Sequence, residues 1–369
     1  MPKIDKLIDS SSFENVSTKL QEINNLLKVS SDNLKTIMDA NNLLYEPTDN
    51  FGTLVKKLNS PTKKESTLVR GDLFQEIMYY NMPNFKNVVE IHFIKDIPDS
   101  NGVDVSEAQD KSIMASINDQ NILKIACNGE IVANADCNNM FNGSIYTSVS
   151  IGQNINKISF DNFNTKNVTS MRYMFGASMA GSDSNPESTL DVVELSNIEN
   201  WDVSNVLDME GMFKGCHNLE NINLSKWNVS NVKNMKFMFD MEPNSLNSPK
   251  IIKIEGIENW NTKSLENTEG MFRGCNSLQS LNLKKWNTLN ITNMNVMFMF
   301  CTMLNGEITI MNDKINADGF FYMFAASSSK NSKFIVNYTT EQTKTIAMQM
   351  IETKLLPESN VILGKLVTQ

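Results

Sequence analysis

Apolar positions recur with a fixed internal spacing along the middle of the chain. Five segments end on a Phe: NFNTKNVTSMRYMF at Phe175, NWDVSNVLDMEGMF at Phe213, KWNVSNVKNMKFMF at Phe239, NWNTKSLENTEGMF at Phe272 and KWNTLNITNMNVMF at Phe298. An aromatic (Phe163, Trp201, Trp227, Trp260, Trp286) stands 12 residues before each Phe, and an aliphatic (Val168, Val206, Val232, Leu265, Ile291) stands 7 before it. Met171, Met209, Met235 and Met294 stand 4 before it, and a further Met directly before it. In the fourth segment Thr268 takes the Met slot, which predicts looser packing there. Shortened copies flank the array, CNNMF at Phe141 with Cys137 in the Met slot and DGFFYMF at Phe324 with Phe320 there. Successive Phe residues are 34, 38, 26, 33, 26 and 26 apart. The basic unit is therefore 26 residues. The longer intervals carry insertions, the clearest being ASMAGSDSNPEST (177–189) and DMEPNSLNSPK (240–250), both rich in turn formers.

Each unit opens with a short alternating stretch: KISF (157–160), VVEL (192–195), NINL (221–224), IKIE (252–255) and SLNL (280–283). Alternation of apolar and polar residues is the period of a strand with one buried face. The apolar spacing that follows, in the NVxxMxxMF stretch, predicts a helical or 3₁₀ turn closing each unit. One unit cannot bury its own apolar face, so the units must stack. The expected fold class is α+β, a leucine-rich-repeat-like solenoid over residues 134–325.

These units resemble the BspA-type leucine-rich repeat with its W[DN][VT]SNVxxMxxMF signature, found in bacterial, mycoplasmal and phage-encoded proteins. The resemblance covers about residues 130–325 and implies a binding array rather than a particular ligand.

Upstream, Phe13, Val16, Leu20, Ile23, Leu27, Ser30, Leu34, Ile37, Asn41 and Leu44 follow alternating steps of three and four. Two readings fit: a coiled-coil seam making a homo-oligomer, with Ser30 and Asn41 setting the register, or two short amphipathic helices folded on each other. Residues 1–60 are thus expected to be a helical assembly or docking segment, which resembles the N-terminal regions of phage tail proteins. Residues 61–133 read as a β-rich lead-in that caps the array, with strands in VVEIHFI (88–94), SIMASI (112–117) and ILKIACNGEIVA (122–133), where CNGE suggests a hairpin turn. Residues 326–369 read as a strand–helix–strand cap, through KFIVNY, TEQTKTIAMQMIETKLL and NVILGKLV.

Composition narrows the chemistry. Acidic residues outnumber basic ones, 42 to 33, for a net charge of −9, which argues against nucleic acid as a partner. No apolar run approaches the roughly 18–20 residues of a membrane span, and MPKIDKLIDSSS has no apolar core of a signal peptide. Membrane insertion and classical export are therefore not expected. The 5 Cys form no CxxC pair, and the 2 His, His92 and His217, form no metal-binding pair. Cys216, Cys275 and Cys301 share one repeat slot, which marks them as packing residues even though His217 follows Cys216. The Met–aromatic stripe is core by its periodicity. Tripeptides such as Asn228-Val229-Ser230 belong to the repeat signature and read as loop hydrogen-bonding positions. No enzyme motif is present, and no cofactor or metal is expected.

The polar side of the strands supplies the candidate binding face: Glu194, Ser196, Asn221, Asn223, Ser225, Lys253, Glu255, Ser280, Asn282 and Lys284. The resemblance to phage-encoded relatives implies a non-enzymatic tail or baseplate component, made in the bacterial cytoplasm. Its N-terminal region would contact other particle proteins, and its array would contact a host cell-surface protein or glycan. A BspA-like adhesin at the bacterial cell surface is the alternative.

Overall fold

The computed structural model describes residues 24–36, 48, 50, 54, 65–142, 154–176, 192–241, 249–329, 331–355 and 359–368. The chain divides into two compact units, residues 1–65 with 128–130, and residues 66–127 with 131–369. In the first, residues 24–36 form a helix on which Leu27 is exposed and Leu34 half-buried. Phe13, Val16, Leu20, Ile23, Ile37, Asn41 and Leu44 lie outside the described residues, as do most of the two insertions.

The second unit is mixed α and β, with few helices and small, mostly parallel sheets. Its apolar residues form one continuous cluster from Leu68 to Val361. The repeated Phe residues are buried and stack from Phe141 through Phe175, Phe213, Phe239, Phe272 and Phe298 to Phe324, with successive ring centroids 5.2–5.9 Å apart. The four Trp rings make a parallel column at 6.2–6.4 Å. Both distances fit offset rings on backbones stacked near the spacing of paired strands. Removing one such side chain from water is worth about 1.5–3 kcal/mol. Repeated along the stack, this is the main force joining units that cannot be stable singly. Thr268 in the fourth unit is also fully buried, its hydroxyl donating to Asn293 O at 3.2 Å, so the missing Met is replaced by a bond to the next unit.

The polar signature residues hold the backbone. Parallel bridges run from Asp136 through Ser170, Asp208, Asn234 and Asn267 to Asn293. At Asp208, Asn234, Asn267 and Asn293 the side-chain oxygen accepts the N–H two residues on, at 3.0–3.1 Å. This Asx turn is the physical reason for an Asp or Asn in that slot. Asn228 does the same for Ser230, while Asn231 donates to Ser204 O of the preceding unit at 2.7 Å. Asn228-Val229-Ser230 is thus engaged as a loop hydrogen-bonding position.

Two expectations need correction. The MxxMF stretch is not a helical turn. The residue two before each Phe has a positive φ, at Asn139, Tyr173, Gly211, Phe237, Gly270, Val296 and Tyr322. A left-handed residue stops a right-handed helix, and the N–H of each unit turns to the next one, as from Phe237 to Glu269 O at 2.8 Å. The short 3₁₀ turns instead precede the Trp, at Ile198–Asn200 and Ile257–Asn259. Nor is CNGE a hairpin. Strands Ile122–Cys127 and Glu130–Val132 enter different sheets, and Ile131 and Val132 pair in parallel with Phe163 and Asn164. Both arms are apolar and buried, so the chain turns a corner around the core and places one arm on each wall.

Strand Glu90–Lys95 lies between Ile122–Cys127 and Lys157–Ser159, parallel to both, and Glu194–Ser196 extends that sheet. Its Phe93 is fully buried against Phe160 and Phe163. At the other end, Ser280–Leu283, Asn305–Ile310, Phe334–Tyr338 and Val361–Leu366 form a four-stranded parallel sheet. Helix Glu341–Glu352 packs on it through Ile346, Ala347 and Met350, and starts at a capping box made by Thr340 and Thr343.

Candidate binding surface

Alternation along the strands sets the outer surface. Ile222, Ile254 and Leu281 are buried, while their neighbours Asn221, Asn223, Lys253, Ser280 and Asn282 are exposed. Glu194 and Ser225 are exposed too, and Ser196, Glu255 and Lys284 half-buried. Parallel register sets Asn221 beside Lys253, Asn223 beside Glu255, and Asn282 beside Glu307. The ten expected face residues thus make a ledge of exposed or half-buried polar side chains carried by strands of three sheets, with Ser225 and Lys284 just past the strand ends.

Part of that polarity is spent locally. Asn223 Oδ1 accepts from Ser225 N at 3.0 Å and Asn282 Oδ1 from Lys284 N at 3.1 Å, which ends each strand and leaves the amide N–H groups as donors. Glu194 accepts from Ser196 and from Lys157, whose Nζ is 2.9 Å away, and these bonds hold its carboxyl below the ordinary range. Lys253 and Glu255 pair at 2.6 Å. Such exposed pairs contribute little to stability; they fix where the charges stand.

The ledge is not uniform. Ser225, Lys253, Glu255, Ser280 and Asn282 border one cleft of about 610 Å³, floored by Ile254 and Leu281. Glu194, Ser196, Asn221, Asn223 and Lys284 lie outside it. Asn305 also borders it. The alternating stretches read from the sequence stop at Leu283, yet NGEITI from Asn305 carries a similar apolar signal in Ile308 and Ile310.

On the turn side, sequence reasoning missed a charged cluster around Phe237. Lys236, Lys214 and Arg273 lie 4.8, 5.5 and 5.5 Å from its ring centre. Arg273 forms a two-pronged pair with the fully buried Asp240, at 2.9 and 2.7 Å, and Lys214 Nζ is 3.9 Å from the same carboxylate. These residues come from three successive units, with Asp240 shared by Arg273 and Lys214 and Lys236 paired to Glu269 at 2.9 Å, so the cluster joins units.

The adjacent Cys216 and His217 bond in opposite directions. Cys216 donates back to Phe175 O at 3.6 Å, while His217 Nε2 meets Met241 O in the following unit at 3.0 Å, so the adjacent thiol and imidazole point apart. Burial pushes the Cys216 thiol up to about 12, the wrong direction for a nucleophile. Cys275 and Cys301 repeat the bond to Phe239 O and Phe272 O. Among the described residues no group of three or more His, Cys, Asp or Glu could hold a metal ion, and no helix is long and apolar enough to cross a membrane.

Stacked Phe and Trp columns, a bridged Asx ladder and a polar strand ledge define a BspA-like tandem-repeat protein. The chain belongs to the family described as Mycoplasma protein of unknown function, DUF285, which matches in three tandem stretches, residues 114–196, 179–252 and 243–357, more than half of the chain. No curated protein and no solved structure matches it.

Proposed function

We propose that this chain is a non-enzymatic recognition protein, a leucine-rich-repeat-like solenoid that binds a host cell-surface protein or glycan through its strand ledge. The observation that carries this reading is the ledge itself, ten exposed or half-buried polar side chains above a buried core, with Asn221 and Asn223 in parallel register with Lys253 and Glu255, and five of the ten around one cleft. A repeated array of this kind offers many weak contacts. Copies joined through the N-terminal helical segment would multiply them by effective concentration. In this reading that segment also docks the chain on a phage or phage-like tail or baseplate, following the sequence resemblance of residues 1–60.

A cell-surface adhesin is the second reading. It uses the same ledge on a different carrier, and a family described from Mycoplasma, a cellular organism, favours it. Gold-labelled antibody to the full chain separates the carriers: label on tail ends of induced particles supports the first, and label on the cell envelope the second. The ledge is tested by altering charge outside the cleft and within it, with Glu194→Lys, Asn221→Asp and Lys253→Glu in one folded chain. Loss of binding to target cells is expected; undiminished binding would overturn the ledge.

A further inference from the structure

The cleft arises where strand pairing is interrupted between two sheets. Lys253–Glu255 belongs to a sheet with Asn221–Asn223, and Ser280–Leu283 to a different sheet with Asn305–Ile310. Glycines permit the close approach inside each pair. A β-carbon on Gly256 would lie 2.1 Å from Ser225 Cα, and one on Gly306 would lie 2.0 Å from Leu281 O. Between the pairs, Gln279 N still reaches Ile252 O at 3.4 Å, and beyond it no backbone bond joins Lys253–Glu255 to Ser280–Leu283. The stack stays closed on its inner side, where Trp260 and Trp286 are 6.2 Å apart and Phe272 and Phe298 5.8 Å. The opening is therefore a wedge confined to the ledge.

Successive residues of a strand direct their N–H and C=O groups to opposite sides. Gln279 O accepts from Asn305 N at 3.0 Å, which turns Ser280 and Asn282 toward the wedge. Glu255 O accepts from Leu224 N at 2.9 Å, which turns Lys253 and Glu255 to the Asn221–Asn223 strand and leaves the Ile254 N–H and C=O facing the wedge from the other side. Two strand edges with main-chain donors and acceptors thus face one polar-rimmed, apolar-floored opening. Among the described residues no aromatic side chain lines it, so these offer no flat ring on which a sugar stacks.

We propose that this wedge receives an extended peptide segment of a protein partner, held by main-chain hydrogen bonds to the facing strand edges. This rests on the ledge being a recognition surface and names its ligand class as polypeptide. Strand addition of this kind takes affinity from the backbone and selectivity from alternate side chains. Here Lys253 and Glu255 contact one set of ligand side chains, and Asn282 and Asn305 the other.

The test selects linear peptides from a displayed random library on the full chain, then resynthesises the binders with single backbone N-methyl groups. Methylation at each successive position inside the bound stretch is expected to weaken binding about tenfold, since neighbouring N–H groups face opposite edges, with little effect at positions flanking it. Asn282→Pro, which removes one wedge-facing N–H and leaves the bonds of Leu281 and Leu283 to the next strand, is expected to do the same. Should that variant misfold, the methylated series on the unaltered chain decides by itself. Absence of any binding peptide, or binders indifferent to methylation, would overturn the proposal. Binding abolished by Glu194→Lys with Asn221→Asp but untouched by Asn282→Pro would overturn the wedge and leave the ledge standing. Capture of a glycan from an array, with no peptide bound, would overturn only the polypeptide assignment.

Discussion

The ring of Tyr173 lies across Gly211 of the next unit, where a β-carbon would come within 2.2 Å of Tyr173 Cε1. Gly211 has φ +61°, and the Tyr173 hydroxyl donates to Glu210 Oε1 at 3.0 Å. The ring of one unit thus fills the space that the glycine leaves in the next. Gly211→Ala meets both a left-handed backbone and the ring, and is expected to cost about 1–3 kcal/mol. Adding Tyr173→Ala should recover the part due to the ring and leave the backbone part. Urea unfolding of the two variants checks this, and an unchanged midpoint for Gly211→Ala would contradict it.

Asp240 is fully buried and bridged by Arg273. Arg273→Met leaves a carboxylate inside the stack without its main partner, and is expected to cost about 3–5 kcal/mol. Adding Asp240→Asn removes the stranded charge and should restore most of the loss. Thermal unfolding of the single and double variants measures the coupling; additive effects would mean that the pair does not act as one.

Burial pushes the Asp208 carboxyl above its ordinary range, against a weaker opposing effect of the Glu210 N–H and Arg172. A raised native pKa means that the ionised form fits the folded chain less well than the unfolded one. This group's contribution therefore improves as pH falls through the raised value and is least favourable above it. Asp208→Asn copies the Asn234, Asn267 and Asn293 of later units and keeps an acceptor for the Glu210 N–H. It should raise the urea midpoint at neutral pH and give no gain once the carboxyl is protonated. A lower midpoint at neutral pH would show that the Arg172 contact dominates.

All five Cys are buried, and the four Trp rings are at most 4% exposed. A thiol reagent should therefore label no cysteine in the native chain and all five after denaturation. Iodide should quench tryptophan fluorescence only weakly until the chain unfolds. Strong native quenching would place the Trp column outside the core and remove the basis of the stacked architecture.

Legibility followed the kind of interaction. Phe175, Trp227 and Met235 could be assigned to the interior because burial selects residue type at a fixed spacing, and the strand faces followed from alternation at Ile222 and Leu281. The ledge residues were legible as its complement. The left-handed Val296 was not, since a β-branched residue is a poor marker of positive φ. Nor was Asp240, whose burial depends on Arg273 in another unit.

By itself the sequence determined that this protein is a stack of similar units with an aromatic–methionine interior, because a repeated apolar slot has to be buried and only its neighbouring copies can bury it. Only the tertiary structure decided that Glu90–Lys95 enters the sheet between two units, that the MxxMF turns bond forward to the next unit, and that the strand stack opens beside Lys253. Each is a choice of main-chain hydrogen-bond partner between distant segments. Every residue except proline carries the same N–H and C=O, so that choice leaves little trace in the order of side chains.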